Sequence, residues 1–209
     1  MQQFTKKNFH SICDELAAKD KFLQQVLTEY SYPPFWTRPN TFETLVLTIL
    51  EQQVSLASAY AAYKKLKERL TSITPKKIVQ LTDEELRSCY LSRQKIVYVR
   101  ELANAVLTKR IDLKSFEKKE DHIVRQELIA LKGIGNWTID IYLLHALHRT
   151  DIFPIGDLAL VNAIRMIKGN ALTKDEIVEI SNKWKPYRTI ATMIFWHYYT
   201  KKKNIKLLH

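Results

Sequence analysis

The stretch Ala130-Leu-Lys-Gly-Ile-Gly-Asn-Trp137 ("ALKGIGNW") places two glycines between two apolar helical patterns, in a chain that has only four. Upstream, Ile123, Val124, Leu128 and Leu131 recur at helical spacing; downstream, Trp137, Ile141, Leu144 and Leu147 do the same. The turn between them is too short to wander, so part of its backbone must adopt conformations that a Cβ disfavours. Ile134, flanked by Gly133 and Gly135, is expected to point inward and pin the helices together. Beside the start of the second helix, the turn offers backbone N–H groups that have no partner within that helix. With the helix dipole these form a nest for an anion such as a DNA phosphate. A plain helical hairpin, closed by glycine for steric reasons, is the alternative reading of the same residues.

Outward from the hairpin the rest of the chain also reads at helical period. Phe9, Ile12, Cys13 and Leu16 form a stripe that Phe22, Val26 and Leu27 continue. Pro33, Pro34 and Pro39 interrupt it. Thr41 is positioned to cap a helix from Phe42 to about Gln52, with Glu43 in its first turn. A second runs from Leu56 to Leu70 and keeps Lys64, Lys65, Lys67 and Arg69 on its wet side. Thr74-Pro75 and Thr82-Asp-Glu-Glu85 are further starts, and helices are expected over 93–108 and 121–131. Sustained alternation and Asn-Gly or Asp-Gly turns are absent, so the expected class is all-α.

Composition narrows the partner. With 46% apolar residues the chain can bury a real core, and a net charge of +11 favours an anionic partner, nucleic acid ahead of a membrane surface. Residues 60–120 concentrate the excess, with fifteen Lys or Arg against eight Asp or Glu. Lys201, Lys202, Lys203 and Lys206 read as a solvated, frayed end. Cys13 and Cys89 make neither a disulfide framework nor a metal cluster and fit a reducing compartment. The first residues lack the apolar core of a signal peptide, and no run reaches the ~18 apolar residues that span a bilayer. A soluble intracellular protein with no membrane partner is expected.

Leu131-Lys-Gly-Ile-Gly-Asn-Trp-Thr138, followed by Phe153-Pro-Ile-Gly-Asp157, resembles the helix-hairpin-helix signature of a DNA glycosylase superfamily. Ile49-Leu-Glu-Gln-Gln-Val-Ser55, Leu102-Ala-Asn-Ala105 and Trp184-Lys-Pro-Tyr-Arg188 resemble segments of one branch, the 3-methyladenine DNA glycosylase II (alkylation repair) family. The resemblance implies a fold of two helical lobes with a cleft between them. Residues 1–39 would pack with the C-terminal lobe, 40–150 would form a central lobe including the hairpin 121–148, and 151–209 would carry Asp157. It also implies a monofunctional glycosylase that flips an alkylated purine out of damaged double-stranded DNA and hydrolyses its N-glycosidic bond.

Asp157 sits where a helix N-cap is expected, which is one reading of it; the other is a rigid carboxylate beside a sugar that gains positive charge as its base departs. By similarity to the family, Trp137, Trp196 and Tyr142 are candidates for a base pocket, since a cationic base prefers an aromatic face. Lys132, Gly133, Ile134, Gly135 and Thr138 would hold DNA at the hairpin. Gln52, Gln53 and Ser55 lie where the family fills the gap in the base stack, with Gln53 as the wedge; an amide pair capping a helix end is the alternative. Lys132, Arg93 and Lys95 are candidate phosphate contacts or simply solvated charges. Arg188 reads as half of a structural ion pair, and His145 and His148 as structural.

Relatives that also nick the strand carry a lysine where this chain has Trp137, so hydrolysis without lyase activity is expected. The four-cysteine pattern of iron–sulfur branches is absent from the sequence. No cofactor is expected, beyond a monovalent cation at the hairpin, and the protein is expected to be a monomer. Its place would be the cytoplasm with the nucleoid in a bacterium, or the nucleus in a eukaryote. The chain opens directly on helical sequence, so the β-rich N-terminal domain of some relatives is not expected. A non-catalytic helix-hairpin-helix DNA-binding protein and a glycosylase/lyase are the competing expectations.

Overall fold

The structure, a computed structural model, describes residues 2–169 and 171–205; Lys206 of the basic tail lies outside them. The helices run α1 (Phe9–Lys19), α2 (Lys21–Tyr30), α3 (Phe42–Glu51), α4 (Leu56–Leu70), α5 (Pro75–Gln80) and α6 (Asp83–Ser88). They continue as α7 (Arg93–Leu107), α8 (Asp121–Ile129), α9 (Asn136–His145), α10 (Leu158–Lys168), α11 (Lys174–Ser181) and α12 (Arg188–Lys202). Short 3-10 turns occupy Ser115–Lys118 and Asn182–Trp184. No strand occurs among the described residues, and a single bridge pairs Gln3 with Arg149. The class is all-α.

Most of these helices begin where a side-chain oxygen takes up an N–H that the helix itself cannot pair. Thr41, Ser55, Thr74, Ser92 and Asp157 each accept from the backbone three residues on. Thr82 with Glu85, and Thr173 with Glu176, form reciprocal capping boxes. Each such cap contributes about 1 kcal/mol, which is why the starts are readable locally. Two expectations shift. Asp20 accepts from Phe22 N–H at 2.9 Å and starts a new helix, so the stripe rotates and buries Leu23 and Val26, leaving Phe22 and Leu27 half-buried. The second hairpin helix ends at His145, and Leu147 is buried beyond it.

The backbone divides into two compact units, one spanning Arg38–Tyr142 and the other combining the residues up to Thr37 with those from Leu143 onward. The second division falls inside α9 rather than after residue 150. Residues 143–150 go with the chain ends because His145 stacks on Trp196, Arg149 bridges to Gln3, and Thr189 N–H donates to the Thr150 carbonyl at 2.9 Å. Arg38 belongs to the other unit through a bidentate pair with Glu51, at 2.8 and 2.6 Å.

In the Arg38–Tyr142 unit, α3 is buried at every position but Glu43 and packs on α4 and α7. In the unit of the chain ends, α12 buries nine residues and packs on α1, α2 and α10.

At the foot of α3, Glu43 accepts from Tyr63 and from Lys67, both at 2.5 Å. Burial pushes the Glu43 carboxyl up, but these two donors outweigh it and hold its pKa below the ordinary 4.5. Burial, reinforced by the carboxylate, raises the Tyr63 phenol to about 12. A depressed carboxyl stabilises the fold above its unfolded pKa and loses that contribution as pH falls through the folded value. The stability difference between wild type and Glu43→Gln, measured by urea unfolding, should therefore be present at pH 7 and shrink steadily below pH 4.5. A difference that stays constant to pH 2.5 would contradict this assignment.

Candidate functional site

Two constellations carry the candidate chemistry, one in each unit. The first is the hairpin of the Arg38–Tyr142 unit. Leu131 accepts from Ile134 N–H at 3.1 Å, closing a tight turn between α8 and α9. Gly133 has φ +90°, a conformation an L side chain rarely adopts, and a Cβ there would lie 2.0 Å from the Tyr98 ring. Gly135 has neither constraint: nothing lies within 4 Å of a Cβ built on it, and it is exposed. The two glycines are therefore not equivalent. Ile134 is buried, as its place between them implied, while Lys132 is exposed.

Gln52 braces this turn. Its amide nitrogen donates to the Gly133 carbonyl at 2.8 Å and to the Thr138 hydroxyl at 2.9 Å. Gln52 and Thr138, assigned from sequence to DNA contact, are thus spent on each other and on the hairpin backbone; Thr138 is only 2% exposed. Gln53 is exposed with φ +54°, and Val54 beside it is 44% exposed. The Ser55 hydroxyl accepts from Ser58 N–H at 3.2 Å and caps α4. Of the Gln-Gln-Val-Ser segment, Gln53 and Val54 are the two side chains presented outward without a capping or bracing task among these bonds.

Trp137 is half-buried in the first turn of α9. Tyr142 departs from the pocket expectation. Its ring is fully buried, packs edge-on to Phe116 at 6.2 Å, and its hydroxyl donates to Asn40 at 2.5 Å. It is a core residue of its unit. Lys95 also differs: its ammonium donates to the Leu50 carbonyl at 2.6 Å and ties α7 to α3, and burial lowers its pKa. Arg93 is exposed.

The second constellation, in the unit of the chain ends, surrounds Asp157. A strap leads to it. Thr189, in the first turn of α12, accepts from Ile152 N–H at 3.0 Å and donates to the Arg149 carbonyl at 2.6 Å. Arg188 clamps both oxygens of Asp151, at 2.7 and 2.9 Å, the ion pair its position suggested. Asp157 N–H then donates to the Pro154 carbonyl at 2.8 Å, and the chain enters α10. The Asp157 Oδ1 accepts from Leu160 N–H at 2.8 Å and from the Trp196 indole N–H at 3.0 Å. One face of the Trp196 ring is covered by His145, stacked at 5.6 Å and 12°, whose Nδ1 meets the Trp36 carbonyl at 2.9 Å. Trp196, expected from sequence at a base pocket, is placed here as a holder of the carboxylate. His145 and Thr189 carry no signal of these roles in the sequence, because their partners lie dozens of positions away.

A fixed carboxylate at a helix N-terminus and a glycine hairpin are the two features on which the resemblance to DNA-repair glycosylases rests. Residues 46–186 match the model of the HhH-GPD superfamily base excision DNA repair proteins, and the chain belongs to that family. A DNA-3-methyladenine glycosylase of Bacillus subtilis is 29% identical over 76% of this chain and 57% of its own length. An alkylbase DNA glycosidase-like protein of Schizosaccharomyces pombe is 30% identical over 74% of this chain and 76% of its own. Among solved structures, a DNA-3-methyladenine glycosidase from Bacillus halodurans aligns with TM-score 0.75 at 29% identity, covering 98% of this chain and 95% of that one. The fold is shared with a Schizosaccharomyces pombe 3-methyladenine DNA glycosylase in complex with abasic DNA, at TM-score 0.83 and 24% identity over 92% and 97% of the two chains. The chain spans less than two thirds of the length of two Bacillus subtilis relatives, 57% of one and 64% of the other.

The asymmetry of the hairpin glycines is directly testable. Gly133→Ala must relieve both a disfavoured φ and a collision with Tyr98, and should destabilise the protein by more than about 1–2 kcal/mol. Gly135→Ala should leave thermal stability within about 0.5 kcal/mol of wild type. Equal losses in a urea titration would refute the distinction.

Proposed function

We propose that this protein is a monofunctional DNA glycosylase that hydrolyses the N-glycosidic bond of alkylated purines in double-stranded DNA and leaves an abasic site. The observation that carries the reading is the Asp157 carboxylate, held at the start of α10 by Leu160 N–H and the Trp196 indole. Breaking an N-glycosidic bond builds positive charge on the sugar, and a preorganised carboxylate stabilises that charge without having to reorient. The same carboxylate orients the attacking water. Alkylation assists twice, by weakening the base pair and by making the base a cationic leaving group, which lowers the flipping cost of a few kcal/mol.

The hairpin serves as the phosphate grip in this reading. The exposed Gly135 lets a phosphate approach the N–H groups at the start of α9, where the helix dipole favours an anion. Lys132 adds charge beside it, and Gln53 with Val54 forms the wedge that fills the vacated stack. Trp196, bonded to the carboxylate, supplies an aromatic face for a cationic base. The relatives named as 3-methyladenine glycosylases support the substrate class.

Release of 3-methyladenine or 7-methylguanine from methylated duplex DNA tests the proposal. Asp157→Asn keeps an oxygen for both donors, so it should fold and bind DNA as wild type does while losing at least roughly a hundredfold in single-turnover rate. DNA binding without base release by the wild type would leave only a hairpin protein that grips phosphate. Because position 137 holds tryptophan, borohydride should trap no covalent DNA complex and the product strand should stay unbroken. A trapped adduct would establish a lyase instead.

A further inference from the structure

Away from the residues assigned to DNA, the unit of the chain ends contains a buried polar knot. Asp20 accepts from Phe22 N–H at 2.9 Å, from Lys168 Nζ at 2.8 and 3.2 Å, and from the Trp184 indole N–H at 2.9 Å. The side chains of Lys168 and Asp20 are 9% and 6% exposed, and Trp184 is fully buried. Lys168 also lies 4.1 Å from the centre of the Phe22 ring and 5.6 Å from that of Trp184. A capping role for Asp20 on α2 would need only the first of these bonds. The rest bring a cation and an indole to a carboxylate with nearly all its surface removed from water, a costly arrangement unless every member is satisfied.

What the knot connects is specific. Lys168 is the last residue of α10, the helix whose N-cap is Asp157. Eleven helical residues, about 16 Å of rigid rod, separate the two ends. The Trp184 ring packs on Phe153, at 5.9 Å, in the loop that delivers Asp157. It also packs on Phe195, at 5.0 Å, the neighbour in α12 of Trp196, which donates to Asp157. Three independent determinants of the carboxylate's position therefore meet at one indole and one buried acid: the far end of its helix, its approach loop, and the helix carrying its donor.

We propose that the Asp20–Lys168–Trp184 knot is a positioning device for Asp157, with Trp184 as the positioning residue that couples α10, the Phe153 loop and the Trp196 hydrogen bond. The assignment of a catalytic outcome rests on the reading of Asp157 given above; the mechanical coupling does not. Lys168 has its pKa lowered by burial, opposed by Asp20, consistent with a charge held in place by its partner rather than by water.

Trp184→Phe tests this, because it removes the N–H to Asp20 while keeping an aromatic ring near Phe153 and Phe195. The protein has four tryptophans, so indole N–H signals in a 15N-labelled sample are few, and Trp196→Phe assigns the one bonded to Asp157. In Trp184→Phe the Trp196 indole signal should shift, and single-turnover base release should fall about tenfold while the dissociation constant for duplex DNA stays within about twofold. In an Asp157→Asn background the same substitution should cost nothing further, as expected of a residue acting only through that carboxylate. A folded Trp184→Phe with an unmoved Trp196 signal and wild-type rate overturns the proposal. A shifted signal in a protein whose wild type releases no base supports the coupling and rejects the glycosylase reading. Should Trp184→Phe fail to fold, Asp20→Asn takes its place, since it keeps the capping oxygen but removes the charge opposite Lys168. A shifted Trp196 signal with slowed base release again supports the coupling, and an unmoved signal with wild-type rate again overturns it.

Discussion

A carboxylate at the start of a helix is first a cap: it answers N–H groups that the helix leaves unpaired. Asp157 does this for α10, and its bond to Leu160 N–H fixes the side chain relative to the helix axis. The indole N–H of Trp196 then binds the same oxygen from α12. Two donors from two elements leave the carboxylate little rotational freedom, and that lack of freedom is what electrostatic catalysis requires. Structural need and proposed chemistry are therefore met by one geometry. The strap through Arg149, Ile152 and Thr189, with the Arg188–Asp151 pair, follows from it, since the approach to Asp157 must be as rigid as the residue.

The hairpin obeys a related constraint. Its turn is held from below by the ring of Tyr98, against which Gly133 packs without a Cβ, and from the side by Gln52, whose amide satisfies a carbonyl and a hydroxyl at once. Gly133, Thr138 and Ile134 are committed to internal contacts, while Lys132, Gly135 and Asn136 are exposed. The proposed phosphate grip needs this division, because a site that must also hold itself together cannot spend the same groups on its ligand.

The fold and the candidate residues are legible in the sequence to different degrees. Helix starts at Thr41, Thr74 and Thr82 are readable because a cap and its N–H are three residues apart. The break at Asp20 is not, because the apolar stripe continues past it and only the packing of Leu23 and Val26 shows which register is used. Among the site residues, Ile134 turns inward as its flanking glycines imply, and Arg188 finds Asp151. Tyr142 shows where such reading stops: an aromatic residue at helical spacing looks the same whether it lines a pocket or packs on Phe116 with its hydroxyl on Asn40.

Sequence by itself determined the helical class, the glycine turn, the position of Asp157 as a cap, and the family. All of these rest on spacing along the chain or on short motifs, which survive without knowledge of what lies opposite. Only the tertiary structure decided that Gly133 and Gly135 do different work, that Gln52 and Thr138 brace each other, and that Trp196 holds Asp157 while His145 covers its ring. It alone joined Asp20 to Lys168 and Trp184, residues 148 and 164 positions apart. Such pairings carry no local signature, because a hydrogen bond or a ring contact depends on separation in space, and folding sets that separation through burial of the whole core.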